Sequence, residues 1–119
     1  FLHEELAHIY AIADLVVSRA GSGSIFETLA WAKPMLLIPL PRGASRGDQI
    51  ENARVFESHG FAVTQEQETL TAEGFFRQIQ NLLKNETLRK SMTEHQKRAS
   101  ISDGASRIAE AIRIFPQKP

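Results

Sequence analysis

The chain has 119 residues, 42% hydrophobic and 24% charged, with a formal net charge of zero. This length and composition predict one globular domain with a core of its own. The absence of cysteine excludes disulfides, thiolate metal sites and cysteine nucleophiles, and no apolar run reaches the roughly 18 residues that predict a membrane-spanning helix. The chain opens at Phe1 without an initiator methionine, so we expect it to be a piece of a longer protein.

Apolar periodicity predicts alternating helices and short strands. The predicted helices span residues 5–13, 24–32, 49–59, 71–84, 86–99 and 105–115. The predicted strands span residues 15–17, 35–38 and 61–64, and residues 116–119 form a frayed tail. Strands that alternate with helices predict an α/β fold with a parallel sheet and right-handed crossovers. Three strands make a thin sheet, and we therefore expect that earlier strands of the domain are missing.

Some residues predict where helices begin and end, and one apolar run predicts how a strand is buried. Asp48 and Thr71 stand where helix N-caps are expected, and Gly60 stands where a helix would end in a left-handed residue. The uniformly apolar strand 15–17 predicts a strand that is covered on both faces.

The stretch from Leu15 to Glu27 predicts a strand, a Gly/Ser loop and the start of a helix. Small residues before a helix N-terminus let an anion approach unpaired N–H groups and the positive end of the helix dipole, which makes a nucleotide diphosphate site one interpretation. Ser24 and Glu27 also fit a capping box, in which the glutamate only satisfies a backbone N–H. From these residues alone, the two interpretations stand about equal.

Charge is unevenly distributed along the chain. Residues 84–119 hold eight Lys/Arg and four Asp/Glu, whereas residues 1–83 hold six and ten. Solvated helix faces are the favoured explanation, and a basic face for an anionic membrane or for nucleic acid is the alternative. The loop 39–47 leaves the ligand-binding end of the predicted sheet, where its Arg42 and Arg46 either meet an anion or, as we favour, face solvent.

Together these motifs resemble the C-terminal domain of the MurG family, the bacterial peptidoglycan transferases of glycosyltransferase family 28. The resemblance covers nearly all of the chain. It is carried by residues 10–21 (YAIADLVVSRAG), Glu27, residues 32–34 (AKP), residues 37–39 (LIP) and residues 48–53 (DQIENA).

The resemblance implies a Rossmann-like parallel sheet with flanking helices, the partial C-terminal domain of a GT-B glycosyltransferase, over residues 1–115. Such an enzyme transfers N-acetylglucosamine from UDP-N-acetylglucosamine (UDP-GlcNAc) to undecaprenyl-diphospho-muramoylpentapeptide, with inversion and without a metal or other cofactor. It further implies that the general base and the lipid-linked acceptor site lie in a missing N-terminal domain, so that this chain alone is inactive. The implied location is peripheral, on the cytoplasmic face of the bacterial plasma membrane, and nucleic acid is not an expected partner.

The resemblance also assigns roles to nine residues. Gly21, Ser22, Gly23 and Ser24 correspond to the diphosphate loop, Glu27 to the ribose ligand, Asp48, Gln49 and Asn52 to the sugar-facing stretch, and Arg19 to a brace beside the loop. Two alternative functions stay open: a GT-B UDP-GlcNAc enzyme of another type, such as the non-hydrolysing 2-epimerase, and a non-catalytic binding module of the same fold.

Overall fold

The computed structural model describes residues 3–101 as a three-stranded sheet with flanking helices. The elements are α1 (His3–Ile12), β1 (Val16–Ser18), α2 (Ser22–Ala30), β2 (Met35–Leu37), α3 (Arg42–Ser45), α4 (Asp48–Ser58), β3 (Ala62–Thr64), a 3₁₀ turn (Gln67–Thr69), α5 (Ala72–Lys84) and α6 (Glu86–Ile101). The predicted helix 105–115 and tail 116–119 lie outside the described residues.

The three strands are parallel and lie in the order β1-β2-β3. Met35 pairs with Val16 on one side and with Ala62 on the other. All three residues of β2 are buried, as expected for a central strand between helices. The predicted parallel α/β fold is confirmed.

The first strand is less covered than its apolar sequence predicts. β1 pairs with one strand among the described residues, and its Val17 is 37% exposed. The prediction that this strand is covered on both faces is therefore wrong for the described part of the chain. An apolar run specifies a strand, but its cover depends on elements that lie far away in the sequence.

The core lies between the sheet and the helices α2 and α4. Phe56 of α4 is fully buried and makes edge-to-face contacts with Phe26 and Phe61, at centroid distances of 5.4 and 5.3 Å. The apolar side chains buried around this aromatic group are Ala20, Ile25, Leu29, Met35, Leu37, Ala53 and Ala62. This packing holds α2 and α4 against the sheet.

Two helix starts differ from the prediction. α2 begins at Ser22 with Gly21 as its N-cap, so Ser24 is the third helical residue and the predicted capping box is wrong. The N-cap of α4 is Gly47, at φ +86°, and Asp48 is the first helical residue instead of the cap. The predicted loop 39–47 also contains the short helix α3. The predicted left-handed residue after α4 is confirmed, with Gly60 at φ +78°.

The predicted N-cap of α5 is confirmed, because the N–H of Gly74 donates to Thr71 Oγ1 at 3.0 Å. We expect Thr71→Ala to lower the free energy of unfolding by about 1 kcal/mol, the usual effect of removing such a cap. Urea denaturation measures the difference. An unchanged midpoint in Thr71→Ala would contradict this role of the threonine.

Helix α6 is anchored by a buried glutamine. Gln96 is fully buried, and its Nε2 donates to the backbone carbonyls of Lys33 at 2.8 Å and Phe61 at 2.9 Å. These carbonyls precede β2 and β3, so one side chain ties α6 to the entry of two strands. Thr93 adds a hydrogen bond from Oγ1 to the carbonyl of Ala32 at 3.2 Å.

Candidate functional site

A cavity of about 420 Å³ opens between the start of α2 and the start of α4. It lies beyond the carboxyl end of the sheet, where open α/β sheets bind their ligands. The residues that line it are Gly21, Ser22, Ala44, Arg46, Asp48, Gln49 and Asn52. Five of the nine residues predicted for the site are therefore brought together here, although they come from two separate segments of the chain.

The first wall of the cavity is the N-terminus of α2. Its hydrogen-bond ladder begins with the N–H of Ile25, which donates to the carbonyl of Gly21 at 3.0 Å. The N–H groups of the preceding turn, residues 22–24, are not used in that ladder. They lie at the positive end of the helix dipole, a position that favours an anion.

The second wall is the N-terminus of α4. Its ladder begins with the N–H of Glu51, which donates to the carbonyl of Gly47 at 3.0 Å. Glycine is favoured at position 47 because its φ is +86°, a left-handed conformation that other residues rarely adopt. Two helix N-termini thus border one cavity.

Arg46 is a candidate site residue that the sequence analysis did not assign to the site, although it left contact with an anion open. It lines the cavity, its backbone is left-handed at φ +55°, and it precedes the start of α4. The prediction favoured solvent exposure for the two arginines of this loop, and Arg46 is indeed exposed yet borders the site. The sequence signal for a site residue here is that the loop follows a predicted strand. This signal does not distinguish Arg46 from Arg42.

Gln49 and Asn52 bind the backbone between β1 and α2. Gln49 Oε1 accepts from the N–H of Ala20 at 3.2 Å and from the N–H of Leu40 at 3.0 Å. Asn52 is buried, and its Nδ2 donates to the carbonyl of Ala20 at 2.9 Å. Both residues line the cavity, and their side-chain amides also hold backbone groups of the fold in place.

Gly23, Ser24 and Glu27 lie on the exposed part of α2. A Cβ on Gly23 would meet no atom within 4 Å, so the fold itself does not require glycine there. Glu27 follows Gly23 by one helical turn and therefore lies on the same face. The side-chain carboxylate of Glu27 makes no hydrogen bond or ion pair with a residue that the structure describes. Its competing role in a capping box is excluded because α2 begins at Ser22.

Arg19 lies outside the cavity. Its Nη1 donates to the carbonyl of Ile38 at 3.1 Å and to Oε1 of Gln67. The guanidinium therefore joins the end of β2 to the 3₁₀ turn and lines a separate apolar groove with Val17 and Phe75. It braces the end of the sheet, and the predicted brace beside the loop is displaced to this neighbouring position.

Comparison with known families agrees with this geometry. Residues 2–108 match the model of the glycosyltransferase family 28 C-terminal domain. The chain belongs to this family. Its members have the GT-B fold, which agrees with the parallel sheet described above. The matched segment contains both helix N-termini and every residue that lines the cavity.

Individual relatives share one printed name, UDP-N-acetylglucosamine–N-acetylmuramyl-(pentapeptide) pyrophosphoryl-undecaprenol N-acetylglucosamine transferase. The protein of Geobacillus kaustophilus is 54% identical over 85 residues, 71% of this chain and 24% of the relative. That of Clostridium tetani is 41% identical over 115 residues, 97% of this chain and 31% of the relative. The chain thus spans about a quarter to a third of the length of these curated relatives.

None of the helices among residues 3–101 combines the length and the apolar character needed to cross a bilayer. The same part of the chain holds no group of three or more His, Asp or Glu side chains arranged to bind a metal ion.

Proposed function

We propose that this chain forms the UDP-GlcNAc-binding part of an inverting glycosyltransferase of peptidoglycan synthesis. The acceptor is undecaprenyl-diphospho-muramoylpentapeptide, as the names of the relatives state for those proteins. The observation that carries the proposal is the cavity bordered by two helix N-termini in a family 28 C-terminal domain. An anionic nucleotide donor is the ligand that this arrangement suits best.

The geometry suggests a place for each part of the donor. The diphosphate would lie at the first turn of α2, where Gly23 leaves room for it. Glu27, one turn further along the same face, would accept hydrogen bonds from the two ribose hydroxyls, as acidic residues do in dinucleotide-binding folds. The sugar would then lie near the start of α4, beside Asp48 and Gln49.

The chemistry required of this chain is stabilisation of the leaving group. As the glycosidic bond breaks, negative charge grows on the UDP diphosphate. N–H groups and a helix dipole that are already oriented stabilise this charge without reorganising during the reaction. Arg46, at the mouth of the cavity, adds a positive charge. The general base and the acceptor site would come from outside residues 3–101.

A lipid-linked acceptor would bring this transferase to a membrane. A nucleotide-sugar donor is water-soluble, whereas an undecaprenyl chain is confined to the bilayer. We therefore propose peripheral association with the cytoplasmic face of the bacterial plasma membrane. This contact would be made by the part of the enzyme that binds the acceptor.

Titration of UDP-GlcNAc, UDP and ADP into the complete native protein that contains this chain tests the donor site. We expect uridine-selective binding that Glu27→Ala weakens by about 1.5–3 kcal/mol, the range for a lost hydrogen bond to a charged group. Calorimetry measures the affinities, and circular dichroism confirms that each variant is folded.

Glu73→Ala is the matched control, because Glu73 is an exposed glutamate on α5 whose partner is Arg77 at 3.6 Å. It should leave all three affinities unchanged. A folded protein that binds none of the three nucleotides would contradict the transferase proposal and favour a non-catalytic binding module. Uridine-selective binding that Glu27→Ala does not weaken would keep the donor site but remove Glu27 from it.

The 2-epimerase alternative uses the same donor without a lipid acceptor. The family match and the names of the relatives favour the transferase. Incubation of the complete protein with UDP-GlcNAc alone distinguishes the two, because an epimerase would convert the free nucleotide sugar and this transferase would not.

A further inference from the structure

We infer that Gln49 and Asn52 act together as a clamp that sets the direction of the first-turn N–H groups of α2. The clamp is defined by the two side-chain amides of α4 and the backbone groups of Ala20 that they bind. The inference rests on the proposed function in one respect: the anion that these N–H groups meet is the diphosphate of the donor.

The buried backbone groups of Ala20 require hydrogen-bond partners from another part of the chain. It is fully buried, it follows the end of β1 at Ser18, and it precedes the α2 ladder that begins at Ile25. Its N–H and C=O therefore lie between two regular elements, and buried backbone groups require partners. Gln49 supplies the acceptor for the N–H, and Asn52 supplies the donor for the carbonyl.

The two amides are three residues apart and so lie on the same face of α4. Gln49 Oε1 also accepts from the N–H of Leu40, so the segment after β2 is bound to the same oxygen atom. One oxygen atom thus joins α4, the approach to α2 and the exit from β2. A shift of this oxygen would move both walls of the cavity relative to each other.

These contacts fix the orientation of the Gln49 amide. An amide oxygen has two lone pairs, and both are taken by backbone N–H groups. Rotating the amide by half a turn would place its NH₂ group against two donors. In the observed orientation, Nε2 is therefore the only polar atom of the Gln49 side chain that is left to contact a ligand. A Cβ built on Gly21 would lie 3.6 Å from this Nε2. Gln49 can therefore donate to a bound ligand but cannot accept from a ligand hydroxyl.

Hydrogen exchange tests the clamp without any ligand. In the complete native protein, we expect Gln49→Met to speed exchange of the Ala20 and Leu40 amides by about tenfold, the effect of one lost hydrogen bond. Gln49→Glu retains oxygen acceptors at the same place and should retain the slow exchange. Gln80→Met, on the exposed face of α5, is the control and should leave both amides unchanged.

Loss of protection in Gln49→Glu, or retained protection in Gln49→Met, would overturn the clamp. The first of these results remains decisive even if Gln49→Met does not fold. The exchange of the Leu36 amide in the central strand serves as the internal reference for global opening.

Binding of UDP, which carries no sugar, then tests what the clamp does. We expect Gln49→Met and Asn52→Leu each to weaken UDP binding by about tenfold, because the diphosphate site depends on the clamp. Variants that lose affinity for UDP-GlcNAc but bind UDP like the wild type would overturn the positioning role and leave only a sugar contact. A wild-type protein that binds no UDP would refute the proposed function, whereas the exchange result would still decide whether the clamp exists.

Discussion

Gln96→Glu is expected to lower the free energy of unfolding by about 3 kcal/mol or more, the range for a buried charge left without a partner. The Gln96 amide is fully buried and donates to two backbone carbonyls, of Lys33 and Phe61. A carboxylate has no N–H to give, so negative oxygens would face both carbonyls in a site closed to water. Urea denaturation followed by circular dichroism measures the loss.

Two further variants separate charge from hydrogen bonding. Gln96→Met removes both donors but introduces no charge, and it also removes an Oε1 atom that has no hydrogen-bond partner among the described residues. It should therefore destabilise the protein less than Gln96→Glu. Glu94→Gln, an exposed position on the same helix, should change the stability by less than 1 kcal/mol. Equal stability of Gln96→Glu and the wild type would refute the anchoring of α6.

The parallel sheet could be predicted because its signals are local. The strands are short apolar runs such as Met35–Leu37, which is buried. Segments with helical periodicity separate these runs along the chain. The N-cap at Thr71 and the left-handed Gly60 could also be predicted, because each is decided by a few neighbouring residues.

The starts of α2 and α4 differ from the prediction for an equally physical reason. Both helices begin after a glycine that has no side chain to form a cap, and neither start shows a side-chain cap hydrogen bond. Ser24 and Asp48, which resemble caps in the sequence, lie inside the helices instead. At Gly47 the backbone has a positive φ, which the local sequence does not reveal.

The site shows the same division between local and distant signals. The Gly/Ser stretch and the start of α4 each look like site segments by themselves. However, the bonds that join them connect residues 29 and 32 positions apart, from Gln49 and Asn52 to Ala20. Partners at that separation cannot be read from periodicity. The same applies to Arg19, whose partner Gln67 lies 48 positions away.

Gly23→Asp is expected to stabilise the unliganded protein and yet reduce the affinity for UDP by at least about 100-fold. Gly23 is the second residue of α2, where a carboxylate is favoured by the helix dipole and where any side chain improves helix propensity. Its added side chain would extend into open space, so no steric cost opposes a gain of up to about 1 kcal/mol. A carboxylate about 4 Å from a phosphate opposes binding by about 4 kcal/mol at an effective dielectric constant of 20. Thermal unfolding and calorimetric titration measure the two effects.

The controls decide whether the effect belongs to the site or to the helix. Thr87→Asp adds the same charge at the second residue of α6. The preceding residue, Glu86, lines a different groove together with Asp14 and Pro34, which come just before β1 and β2. It should leave UDP binding unchanged. Gly23→Ala should stabilise the helix and weaken binding only through the volume of one methyl group. If Gly23→Asp binds UDP as the wild type does, the diphosphate does not lie at the start of α2. If both Gly23 variants instead destabilise the unliganded protein, the glycine serves the fold, and its open surroundings do not mark the place of a ligand.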